Sequence, residues 1–177
     1  MIIIHHMEKK HNQIKIKNID WKKWQFTEKA VLCFVINNDK ILLIHKKRGL
    51  GKGKINAPGG RIEEGETPIK AAIRETQEEV LITPINPVKY AELNFIFTDG
   101  YSLYGEAYIS KSHTGIPGET EEAKPFWQEI DKIPYDRMWE DDRLWLPHVL
   151  NGKKVKAYFI FEKDKMLDHN VEIVESF

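Results

Sequence analysis

The 177-residue chain has a single cysteine, no net charge and no long apolar run, and each of these absences excludes something. Cys33, inside AVLCFVI, has no partner for an intrachain disulfide and reads as a buried apolar thiol, which fits a reducing, cytoplasmic setting. Lys plus Arg equals Asp plus Glu at 27 each, so no global field marks a stable nucleic-acid partner. No stretch approaches the ~18 apolar residues of a membrane span. The opening MIIIHHMEKK has three isoleucines in a row and no small-residue cleavage site, so it does not read as a signal peptide, and Met7 is a second candidate start. Internal repeats and low-complexity linkers are also missing. What remains is an ordinary soluble composition, 41% apolar and 31% charged, long enough for one domain with a sizeable core.

Residues 1–28 read as a basic, solvated arm or edge element, with six lysines between Glu8 and Trp24; residues 29–177 read as the domain. Lys29 to Ile36, the turn Asn37-Asn38-Asp39 and Lys40 to His45 predict a hairpin. KKRGLGKGKINAPGG reads as a glycine-rich basic loop. Thr67-Pro68 predicts a helix N-cap with proline at the first helical position, and Ile69, Ala72, Ile73, Thr76 and Val80 recur at helical spacing behind it. Strand-like stretches follow at Tyr90 to Thr98 and Leu103 to Ser110, Pro117-Gly118 breaks the chain, and a second helix is expected from near Asp141 to Asn151-Gly152. Val155 to Glu162 and Val171 to Val174 read as late strands, giving an α/β layered domain.

Charge is concentrated in one place. GGRIEEGETPIKAAIRETQEEVLI, Gly59 to Ile82, holds six glutamates. At about 100° per residue Glu75, Glu78 and Glu79 share a helix face, at i, i+3 and i+4. Like charges so spaced repel, and a patch of hard oxygen donors suits Mg²⁺ or Mn²⁺, ions that keep waters and bridge to phosphates. Arg74, one turn before Glu78, is placed to pair with it. A solvated acidic helix face is the plain alternative.

The run Gly60-x5-Glu66-x7-Arg74-Glu75-x-x-Glu78-Glu79 resembles the Nudix box, the signature of hydrolases that cleave nucleoside diphosphates linked to another group. Thr76 and Leu81 depart from it, standing where an aliphatic residue and a glycine are usual. The resemblance implies a Nudix-type α/β/α sandwich with a mixed sheet and the loop-helix-loop. It also implies water attack on phosphorus, with metal held by Glu75, Glu78, Glu79 and the Gly59 carbonyl, and with Arg74 orienting the acids. Glu79 is favoured as base or chief ligand; Glu122, in GETEEAKPFW, matches a position that supplies a further acid, its plain reading being an exposed loop glutamate.

Outside the box, KKRGLGKGKINAPGG, FWQEIDKIPYDRMWEDDRLWLP and FIFEKDKMLD are similar to the animal-type MutT homologues, which hydrolyse oxidised purine nucleoside triphosphates to monophosphate and pyrophosphate. That similarity implies that Asn56 meets the base, Trp139 stacks on it, and Asp141 with Asp142 binds its edge. It places Lys46 near the phosphates and has Leu50, Phe95 and Tyr104 line the pocket. Alone, Asp141-Asp142 reads as helix-capping acid, Trp139 as core and Asn56 as a turn residue. The implied protein is a monomer with a small-molecule nucleotide substrate. Alternatives are a pyrophosphohydrolase for methylated or unmodified nucleotides, one acting on RNA 5′ ends, and a non-catalytic nucleotide sensor.

Overall fold

The computed structural model describes residues 14–177; the first thirteen residues of the basic arm lie outside the described residues. The described residues form eleven strands and two α-helices: β1 Glu28–Asn37, β2 Lys40–Lys46, β3 Ile55–Asn56, β4 Gly59–Arg61, α1 Pro68–Val80, β5 Thr83–Pro84, β6 Val88–Phe97, β7 Ser102–Ser110, β8 His113–Thr114, β9 Ala123–Glu129, α2 Asp142–Leu150, β10 Lys154–Glu162 and β11 Lys165–Val174. The main sheet runs β11-β10-β6-β7-β1-β2-β3, with β4 paired to β1 and β9 to β2. It is mixed: β1 lies parallel to β7 and β6 parallel to β10, and the remaining pairs are antiparallel. α1 packs on one face against β1 and β4, and α2 on the other against β10.

Both faces of the central strands are therefore buried, which explains the near-continuous apolar runs VLCFVI and ILLI. Val31, Cys33 and Val35 join Leu42, Ile44, Ala71, Ala72 and Val80 beneath α1. Phe34, with Ile41 and Leu43, joins Leu93, Trp145, Leu146 and Phe159 beneath α2. Cys33 is fully buried, and desolvation pushes its thiol up to about 11, so it is an inert packing residue.

The expected hairpin turns at Asn38, whose φ is 56°. The glycine-rich stretch is less of a loop than expected, because Ile55–Asn56 pairs with β2 and Gly59–Arg61 with β1. β9 was not expected at all, and β11 begins six residues earlier than the sequence suggests, at Lys165 rather than Val171. The stripe of α1 also differs: Ile69 is 41% exposed, while Ala71 and Glu79 are buried with Ala72, Thr76 and Val80. The described part of the arm is not simply solvated. Ile16 is buried, its N–H donates to Asp168 Oδ2 at 2.9 Å, and Trp21 lies 4.5 Å from the Tyr158 ring centroid. Among the described residues no helix is long and apolar enough to cross a membrane.

Thr67 caps α1, its hydroxyl accepting from the Lys70 N–H, and Leu81 ends it in the left-handed region at φ 64°, ψ 22°. A side chain with a Cβ is disfavoured there by about 1–2 kcal/mol, partly offset in a comparison with glycine by glycine's freer unfolded state. Leu81 is 56% exposed and gives up little burial. Leu81→Gly is expected to raise Tm by ~2–4 °C in a thermal melt. A fall would mean that the leucine's packing beside Gly118 outweighs its backbone strain.

Candidate active site

α1 presents its acids at the edge where it meets β4. Arg74 gathers them: Nε and Nη2 donate to the two Glu66 oxygens at 2.8 and 2.9 Å, and Nη1 to Glu75 Oε1 at 2.7 Å and Glu78 Oε2 at 3.2 Å. Arg74 Nη2 also donates to the Arg61 carbonyl at 3.0 Å, tying the helix to β4. The bidentate Arg74 bond holds the Glu66 carboxyl down at about 2, and the Arg74 guanidinium is stabilised in its charged form in return.

The three box acids differ sharply in environment. The Glu78 side chain is 55% exposed and does not line the cavity described below, whereas those of Glu75 and Glu79 are 13% and 3% exposed. Glu79 Oε2 accepts the Gly59 N–H at 3.3 Å, and Oε1 lies 3.8 Å from Lys46 Nζ. Burial pushes its carboxyl up to about 7 against the pull of Lys46, with repulsion from Glu75 and Glu122 adding to the rise. Glu75 is raised by the same desolvation. Gly60 leaves room for the Glu75 carboxylate, which an added Cβ would push aside. Glu122 comes from the segment before β9, where Arg48 pairs with it.

Glu75, Glu79 and Glu122 form one wall of a cavity of about 430 Å³ that runs between the sheet and the start of α2. Lys46, Asn56 and Gly59 line it beside the acids; Leu50, Phe95 and Trp139 line its apolar part; Asp141 and Asp142 also line it. Trp139 is set edge-on to Phe97 and Phe161, at centroid distances of 6.2 and 5.4 Å, with Lys54 Nζ 5.2 Å over its ring. The loop between β2 and β3 passes so close that a Cβ on Gly51 would stand 2.8 Å from Trp139 Nε1. Asn56 Oδ1 accepts the Ala57 N–H at 2.8 Å; among the described residues its Nδ2 donors have no protein partner.

Asp141 and Asp142 are 2% and 3% exposed, and neither caps α2 by a side-chain hydrogen bond to the helix N–H groups. Asp141 Oδ2 accepts from Trp145 Nε1 at 2.9 Å, but Asp141 Oδ1 and Asp142 Oδ2 are buried with no hydrogen-bond partner. Desolvation pushes Asp141 up to about 7, and burial together with the neighbouring Asp141 charge pushes Asp142 well above the ordinary carboxylate range. Buried oxygens left open in this way cost stability unless a ligand engages them.

The site residues expected from sequence thus converge on one cavity, with three exceptions, the first being Arg74, which bonds Glu75 and Glu78 without lining the cavity itself. Glu78 stands at the rim, held by Arg74. Tyr104 is a correction: it lies on the opposite face of β7, its hydroxyl donating to Glu106 Oε1 at 3.1 Å and its ring 5.6 Å from Phe26. Leu103, one residue earlier, faces the cavity instead. Sequence reading also missed Glu28 and Tyr101 at the cavity mouth, where Tyr101 Oη donates to Glu28 Oε2 at 2.6 Å and Arg61 Nε pairs with the same oxygen at 3.0 Å. Only the turn signal Asp99-Gly100 before Tyr101 hinted at that position.

The donor set suits a divalent cation: hard carboxylate oxygens on one wall, mutually repelling, beside a backbone carbonyl. Among the described residues no three acids already converge at ligand distance; Arg74 pairs with Glu75 and Glu78, and Arg48 with Glu122.

The NUDIX domain family matches residues 27–149, and the chain belongs to it; it is a Nudix hydrolase. It is similar to the oxidized purine nucleoside triphosphate hydrolases of Danio rerio (38% identical, covering 85% of this chain and 98% of that one) and Mus musculus (36%, covering 82% and 95%). Among solved structures it resembles the crystal structure of the MutT mutator protein from Bacillus halodurans, at a TM-score of 0.75 and 26% identity, over 82% of this chain and 97% of that one.

Proposed function

We propose that this enzyme hydrolyses oxidised purine nucleoside triphosphates, 8-oxo-dGTP and 2-oxo-dATP among them, to the monophosphate and pyrophosphate with Mg²⁺, clearing damaged nucleotides from the precursor pool. The observation that carries this reading is the pair of buried acids, Asp141 and Asp142, each with one oxygen left without a partner, in the same cavity as the glutamate wall. The names of the zebrafish and mouse relatives point the same way.

In this reading Glu75, Glu78, Glu79, Glu122 and the Gly59 carbonyl hold the ion. When bound, it neutralises phosphate oxygen charge and lowers the pKa of water. Arg74 fixes the directions of the acids, and Lys46, 3.8 Å from Glu79, offers a charge to the phosphate chain. Glu79 is the acid best placed to orient or deprotonate the attacking water, because its position is fixed by Gly59 and Lys46. Trp139 supplies a stacking face that any purine can use. A protonated Asp142 donates to the base edge while Asp141 accepts, and exchanging those roles meets a different pattern of donors. This accounts for action on both oxidised guanine and oxidised adenine.

Pyrophosphate release with Mg²⁺ from 8-oxo-dGTP, 2-oxo-dATP, O6-methyl-dGTP, dGTP and dATP tests the proposal. Strong preference for one or both oxidised purines supports it; equal turnover of all five keeps the hydrolase but removes the sanitising role.

A further inference from the structure

Five glycines line the cavity wall or press on a residue that does, and four of them have a reason in the protein itself, Gly49 by its φ of 77°. A Cβ on Gly59 would run into the Val31 carbonyl, one on Gly60 into the Glu75 carboxylate, and Gly51 combines a φ of 83° with contact to Trp139. Gly105, in the middle of β7, has no such reason. Its φ is not positive, and an added Cβ would find its nearest atoms at 3.7 Å (the Leu93 carbonyl), 3.8 Å (Leu93 Cβ) and 3.9 Å (Phe95), ordinary van der Waals contact. Glycine inside a strand carries an entropic cost and gives no side chain to pack, so one that the protein does not need marks a close approach by something else.

The register shows where that space lies. Ala30 stands beside Gly105 on one side and Leu93 on the other, so two adjacent positions of the sheet floor carry a methyl or nothing. The next row toward the mouth is Glu28, Leu103 and Phe95, all larger. The result is a recess in the floor of the cavity that also contains the open oxygens of Asp141 and Asp142.

We propose that Gly105, with Ala30, is a specificity-determining position: the recess sets the depth of the base pocket and admits a bicyclic purine against the β7 backbone, which a side chain at 105 would exclude. This rests on the nucleotide reading of the cavity. A monocyclic pyrimidine does not fill the recess and is indifferent to its loss.

The test compares wild type with Gly105→Ala and Gly105→Val. Turnover with Mg²⁺ is measured on 8-oxo-dGTP, dGTP, dCTP and dTTP, and binding of 8-oxo-dGMP, dGMP, dCMP and dTMP is followed by thermal shift in EDTA. For Gly105→Val, kcat/KM on the purines is expected to fall ~10- to 100-fold, mostly through KM, with a smaller fall for Gly105→Ala and little change on the pyrimidines. The Tm of ligand-free Gly105→Ala is expected not to fall. An unchanged purine-to-pyrimidine ratio in a folded Gly105→Ala and Gly105→Val overturns the proposal. If wild type turns over no triphosphate yet binds the purine monophosphates, the hydrolytic reading fails while Gly105 is still judged by binding. If it binds no base, both fail.

Discussion

Glu79→Gln is expected to lower kcat by about 10³-fold on any triphosphate substrate while leaving binding of the base almost unchanged. The amide keeps the shape of the side chain and can still accept the Gly59 N–H, but it loses the charge. Lys46 and the incoming ion are then left without the one fully buried acid of the box. Metal-free stability is not expected to suffer, since the substitution removes a carboxyl that burial already penalises. Glu78→Gln is the matched comparison: its side chain is 55% exposed and tied to Arg74, so its effect is expected to be smaller. Measuring kcat at saturating Mg²⁺ for both variants decides the order. Wild-type turnover by Glu79→Gln would remove Glu79 from the chemistry, and a larger loss in Glu78→Gln would move the leading role to the rim.

Asp141→Asn should cut kcat/KM for oxidised purines by about 10²-fold, carried mainly by KM, as a charge-assisted hydrogen bond to the base edge is exchanged for a mismatched amide. It should also stabilise the ligand-free protein, and the pH dependence distinguishes this effect from general damage. The Asp141 carboxyl rises from the ordinary 3.8 to about 7 on folding. Between those values the folded state holds a proton that the unfolded state has released, so wild-type stability declines as pH rises through that window and stays reduced above it. Asn has no such penalty. Thermal melts in EDTA are therefore expected to show Asp141→Asn equal to wild type near pH 4 and several degrees above it at pH 8. A constant offset at all pH values would show that Asp141 ionises normally in the fold. Unchanged base preference would remove the pair from recognition.

How far the sequence carried this picture depended on the kind of pattern. The acidic helix was legible because a 3.6-residue period, an N-cap threonine and proline at the first turn all agree over a long segment. Pocket walls on strands were harder. In a period of two, an offset of one residue reverses the face, and that is how Tyr104 was placed where Leu103 stands. β9 escaped because AKPFWQE has neither clean alternation nor a proline-free run, and its strand character comes from pairing along β2. The burial of Asp141 and Asp142 was expected from the resemblance and not from the local sequence pattern. Two acids before a helix look like caps, and in the fold both are buried where α2 packs against β10 and Trp145 against Phe34.

The tie between Ile16 and Asp168 also bears on how the molecule comes into being. It joins positions 152 apart, and β1 with β7 and β6 with β10 make parallel pairings that likewise span much of the chain. During synthesis, every segment of the glutamate wall has emerged before α2 and β10 are made. Until then β6 has an unpaired edge and the base end of the cavity does not exist. The sheet is therefore complete only once β10 and β11 are in place, and loss of these two strands is expected to leave an aggregating fragment rather than an unselective enzyme.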